Sequence, residues 1–158
     1  MRRIFLVLAT AGALVPAALS APAEPGDGTL SVVKGRGTIW LDVRGVVIGQ
    51  LDAGNVTVID PEEERGSEAE VRGAERTMTL SDTKKRWRGD DLRFRLVGGD
   101  WRLRVHGRGI DLSVVGRGTV KINGAGDNRG VANDGKYSLN DASYDSLPDR
   151  PKTLKLAP

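Results

Sequence analysis

The feature that most limits what this chain can fold into is a run of short apolar stretches cut by glycine. In "TLSVVKGRGTIWLDVRGVVIGQLDAGNVTVID", residues 29–60, the glycines at 35, 37, 45, 49 and 54 mark off four stretches rich in Val, Ile, Leu and Trp. Apolar and polar residues alternate along them, so each, as a strand, would turn one face to a core and the other to water. No stretch before Asp60 holds a helical period for two turns. The pattern returns in "TMTL", residues 77–80, and runs from Leu92 to Ile122. The expectation is an all-β fold, an antiparallel meander forming a β-sandwich or barrel. A β-solenoid is the alternative. Glycine would mark tight reversals in the meander and corners between stacked parallel rungs in the solenoid.

The N-terminal residues "MRRIFLVLATAGALVPAALSAPA" follow another logic. Arg2 and Arg3 precede an apolar run from Ile4 to Val15, and Pro16 and a set of small residues follow. This is the pattern of a secretory signal peptide over residues 1–23, with cleavage between 20 and 23. The run falls short of the ~20 residues of a spanning helix, so no transmembrane anchor is expected after processing. Residues 24–28 read as a flexible lead-in to a single domain over 29–148. Without cysteine, the core must hold with no covalent staple, and thiol chemistry is excluded. Losing Arg2 and Arg3 takes the basic residues from 24 to 22, against 21 acidic ones. The mature chain is therefore nearly neutral, and any pull on a polyanion must come from local clustering.

Residues 61–76, "PEEERGSEAEVRGAER", carry glutamates and almost no large apolar residue, and read as an acidic insert. Residues 123–141, rich in Asn, Asp and Gly, read as loop, and residues 149–158 as a disordered tail.

The stretch "LRFRLVGGDWRLRV", residues 92–105, gives the most specific expectation. A two-residue turn at Gly98 and Gly99 sets Leu96 opposite Trp101, Arg95 opposite Arg102, Phe94 opposite Leu103 and Arg93 opposite Arg104. Apolar then meets apolar throughout, and the four arginines share the outer face. Further turns at Gly107 and at residues 116–118 would add Asp111, Ser113 and Lys121 to that face. The candidate binding residues are Arg93, Arg95, Arg102, Arg104 and Lys121. Like charges directly opposite on a sheet oppose folding by a few tenths to about 1 kcal/mol per pair. Either a bound polyanion or the acidic insert folding across the face would offset that.

"GRG" occurs three times, beginning at Gly35, Gly107 and Gly116. Each copy sits between two alternating runs, so each reads as a tight hairpin turn before it reads as an anion-cradling nest. "SVVKGRGTIWL" and "SVVGRGTVKI" match further, as a faint internal duplication would.

Enzymatic chemistry finds little purchase. His106 is the only histidine and has no nucleophile near it in sequence. Asp90, Asp91, Asp100 and Asp111 are the carboxylates a glycan hydrolase would have to pair. In "NGAGDNRG" and "NDGKYSLND", Asp127, Asn128, Asn133, Asp134, Asn140 and Asp141 offer oxygen ligands, but neither stretch fits a calcium loop, and turns use the same residues. No metal or cofactor is expected.

The block "LRFRLVGGDWRLRVHGRGIDLSVVGRGTVKI", with "DGKYSLN" and "YDSLP" after it, resembles small secreted, glycine-rich all-β proteins of bacteria. The resemblance covers the second half of the chain. It implies export and an all-β fold, and brings no activity or catalytic residue with it. The expected function is an exported, non-enzymatic envelope or extracellular module that binds an anionic polymer or a partner protein through its arginine-rich sheet face, with no specific nucleic-acid partner. A secreted glycan hydrolase and a purely structural domain without ligand are the alternatives.

Overall fold

The computed structural model describes residues 26–59, 68–126 and 134–157. The signal segment lies outside them, as do Asp60, residues 61–67 of the acidic insert and the candidate ligands Asp127, Asn128 and Asn133. Every regular element described is a β-strand: β1 (Gly28–Ile59), β2 (Glu68–Arg72), β3 (Arg76–Ser81), β4 (Lys84–Gly124), β5 (Lys136–Leu139), β6 (Asp145–Ser146) and β7 (Lys152–Leu156). Among the described residues all pairings are antiparallel and the sheet does not close into a barrel. No helix among the described residues is long and apolar enough to cross a membrane.

Two of these strands are too long to be flat. β1 and β4 form one antiparallel ribbon that bends repeatedly, and most segments of either strand pair with two separate segments of the other. Following the pairs outward separates two layers. The first runs β7, 117–124, 36–44, 100–108, 53–59, 84–90, β3. The second runs β6, β5, 28–35, 110–116, 45–51, 92–97, β2. Consecutive segments of β1, and those of β4, thus alternate between layers. This is the winding of a jelly roll.

The alternation that marks strands in the sequence also builds the core. Ile39, Leu41 and Val43 of the first layer and Leu92, Phe94 and Leu96 of the second are all buried in one cluster, with Trp101, Leu103 and Val105. Such burial is worth roughly 25 cal/mol per Å² of apolar surface removed from water.

Glycine works here at corners. Gly54 has φ of 149° and pairs with both Gly89 and Gly107, where a Cβ would overlap the His106 carbonyl oxygen. Only glycine lets the ribbon fold that tightly. The expected hairpins are absent. Leu96 pairs with Val47 and Ala69, and Leu103 with Leu41 and Val58, so both edges of each are occupied and the 98–99 turn cannot bring the two residues together. Gly98 and Gly99 do have positive φ, 67° and 72°, but they carry the chain from one layer to the other. The segments after Gly107 and Gly116 change layers in the same way, so the GRG copies are not hairpin turns. The duplicated stretches instead pair with each other, Ser31 opposite Ser113 in the second layer and Trp40 opposite Lys121 in the first.

The C-terminal residues expected to be a disordered tail include β7, which pairs with 118–122 and buries Leu154 and Leu156. Lys152 ties this edge to the second layer. Its Nζ donates to Tyr137 Oη at 2.6 Å, and that bond, together with the electrostatic pull of the phenol oxygen, holds the ammonium above the usual lysine value.

Candidate anion-binding face

The winding divides the arginines. Arg93 and Arg95 project from the second layer, and Arg102, Arg104 and Lys121 from the first, all of them exposed. The single face expected for all five therefore does not exist, because layers rather than hairpins separate 92–97 from 100–108. Of the candidate binding residues, the structure brings together Arg102, Arg104 and Lys121.

Those three stand among cations that the hairpin reading missed. One row of directly opposed residues crosses the first layer from edge to edge: Thr153, Lys121, Trp40, Arg104, Thr57, Arg86, Met78. The row above it contains Asp42, Arg102, Ile59 and Lys84. With strands about 4.8 Å apart, Lys121, Arg104 and Arg86 recur roughly every 10 Å, each separated from the next by a neutral residue. The signal for the missed cations was in the sequence. In "KKRWR" the alternate residues Lys84, Arg86 and Arg88 take the outer face, while Trp87 packs against the core.

Trp40 organises the middle of the row. The Arg104 guanidinium carbon lies 5.7 Å and the Lys121 ammonium 5.5 Å from its ring centroid. At such distances a cation is attracted by the indole face. Arg86 is steadied by neutral partners too, donating from Nε to Thr57 Oγ1 at 3.0 Å. The groove over these residues has a volume of about 450 Å³, and Asp42 is the one carboxylate among its described lining residues. Asp42 sits 3.3 Å from Arg102, with both side chains more than half exposed. Such a pair is weak and leaves the arginine able to exchange partners.

Beside this groove, on the same outer face, lies a second concavity lined by Arg36, Arg86, Arg88, Arg108, His106, Asn55 and Asn123, around the glycines of the corner. His106 Nδ1 is 2.7 Å from Thr38 Oγ1.

The second layer's outer face is of mixed character. Arg95 stands opposite Glu70 of β2, so that part of the acidic insert extends this layer at its edge and does not cross Arg102 and Arg104. Arg93 lies 3.5 Å from Asp91. Asp111 accepts hydrogen bonds from the Lys34 amide at 2.8 Å and from Gln50 Nε2 at 3.1 Å.

The carboxylates a hydrolase would need are scattered. Asp90 and Asp91 sit at a corner, Asp100 faces Arg44, and Asp111 is on the second layer. None of them lines the groove. Asp134 is buried and accepts the Gly126 amide at 2.8 Å, and no group of three metal-binding side chains forms among the described residues. Comparison of the chain with protein-family models, with curated proteins and with solved structures finds no match, so the chemistry of this face rests on its own geometry.

Proposed function

We propose that this protein is an exported, non-enzymatic binding module that holds an anionic polysaccharide of the envelope or the extracellular space across the outer face of its first layer. The N-terminal signal pattern supports export. The observation that carries the binding reading is the row Lys121, Trp40, Arg104, Thr57, Arg86. Cations there are held by an indole and a hydroxyl in place of carboxylates, so an arriving anion displaces no strong internal ion pair. Thr119 and Thr153, both exposed, add neutral groups that bond sugar hydroxyls. A single-stranded nucleic acid calls for successive aromatic platforms. Among the described residues this face offers Trp40 alone, since Trp101 is buried and Trp87 packs against the core.

Titration of the processed protein with dextran sulfate, uncharged dextran and single-stranded DNA, followed by tryptophan fluorescence and calorimetry, tests the reading. Saturable binding to dextran sulfate, weaker binding to DNA and none to dextran is the expected result. Tighter binding to DNA, or no binding to either polyanion, would reject it.

A further inference from the structure

Two of the three GRG copies meet in the fold. Gly37 pairs with Gly107, and Arg36 stands directly opposite Arg108 on the neighbouring segment. A few strands away in the same layer, Arg88 stands directly opposite Arg76 of β3. Opposed like charges cost stability. None of Arg36, Arg76, Arg88 or Arg108 has a carboxylate partner at ion-pair distance among the described residues. Arg36, Arg88 and Arg108 line the concavity beside the Trp40 groove, with Arg86 shared between the two. No carboxylate lines it among the described residues.

We infer that this corner is a subsite for sulfate or phosphate ester groups on the polymer, and that it makes the protein selective for esterified over carboxylate polysaccharides. The inference rests on the polysaccharide reading above and adds the class of anion. A carboxylate has two oxygens, and one guanidinium fork satisfies both. A sulfate or phosphate ester presents three terminal oxygens on a tetrahedral centre, which suits forks arriving from different strands. Here the forks come from 36–44, 100–108 and 84–90, and Asn55 and Asn123 add amide donors. The corner glycines at its floor let the segments that carry these groups close up, because a Cβ on Gly54 or Gly107 would run into the neighbouring backbone. At about 740 Å³ the concavity is much larger than one oxyanion, so the ester arrives attached to a chain. That chain continues into the Trp40 groove through Arg86.

Dextran sulfate and carboxymethyl dextran, matched in charge per sugar, share a backbone and differ in the anion, and so isolate the claim. The wild type should prefer dextran sulfate by about tenfold, the scale of one extra charge-assisted contact. Arg36→Gln with Arg108→Gln should bring that ratio close to one, with folding stability unchanged or slightly raised. Arg36→Lys with Arg108→Lys keeps the charge and should still lose most of the preference, because the fork is gone. A wild-type ratio near one, or a ratio untouched in the glutamine variant, would overturn the inference. Displacement of dextran sulfate by an equal concentration of inorganic sulfate would overturn it too, by making the free ion the ligand. Arg104→Gln with Lys121→Gln should weaken both polymers together. If that variant weakens neither, the groove reading itself has failed, and the corner can be judged separately from its own ratio.

Discussion

The two outer faces of this sandwich come from the same ribbon, with the same alternation and over the same core, yet they differ in how their cations are compensated. On the second layer Arg95 faces Glu70, Arg93 lies near Asp91, and the exposed surface includes Val33 and Ile48, each 39% accessible. On the first layer Arg104 and Lys121 flank an indole, Arg86 rests on a threonine, and Arg36 faces Arg108. The difference shows that charge count along a sequence says little about a face. Four arginines within a dozen residues part company at Gly98 and Gly99, and the stronger cationic surface assembles from segments far apart in the chain.

The largest expected effects concern what the faces share. Leu103→Ala should cost about 2–5 kcal/mol in urea denaturation, because Leu103 is buried between Leu41 and Val58 beneath the arginine row. Leu96→Ala in the second layer should cost a similar amount, and a large inequality between the two would break the idea of one common core. Gly54→Ala should follow at about 2 kcal/mol or more, since its Cβ meets the His106 carbonyl oxygen at a backbone that cannot yield cheaply.

Smaller effects sharpen the contrast between the faces. Trp40→Ala should weaken dextran sulfate binding by about 1–2 kcal/mol in calorimetry. Ile48→Ala on the opposite face should leave it unchanged. Arg102→Ala should change stability by no more than about 0.5 kcal/mol, as its partner Asp42 is exposed. Lys152 gives the finest test, at the edge where the layers are tied. Its folded value is raised, so its contribution is fully present below the ordinary lysine value of 10.5 and is lost as pH rises through the folded value. The stability gap between wild type and Lys152→Met should therefore be flat through neutral pH and close only in strong alkali.

The inward and outward sense of nearly every residue was legible in the sequence, because period-two alternation sets it whatever the strand pairs with. Phe94 and Leu103 point inward and Arg95 and Arg102 outward in both the expected hairpin and the observed ribbon. For the same reason the pairing was not legible. Leu96 opposite Trp101 and Leu96 opposite Val47 satisfy the apolar pattern equally, so complementarity could not choose between a reversal and a corner. Glycine with positive φ serves either, as Gly98 and Gly99 do here. The solenoid alternative anticipated glycine corners and the meander anticipated antiparallel pairing, and the ribbon combines the two. β7 escaped notice because "KTLKL" offers only Leu154 and Leu156 as apolar anchors.

The central claim is that one face binds and the other does not, and the salt dependence of binding tests it most directly. Affinity for dextran sulfate should be measured from low to physiological salt for wild type, for Arg104→Gln with Lys121→Gln, and for Arg93→Gln with Arg95→Gln. Each cation engaged with a polyanion releases counterions and steepens the fall of log affinity with log salt, by somewhat under about one unit per contact. The first-layer variant should flatten the slope by between about one and two units, while the second-layer variant, with the same loss of charge, keeps the wild-type slope. Equal flattening in both variants would mean that net charge alone draws the polymer, and would contradict the account.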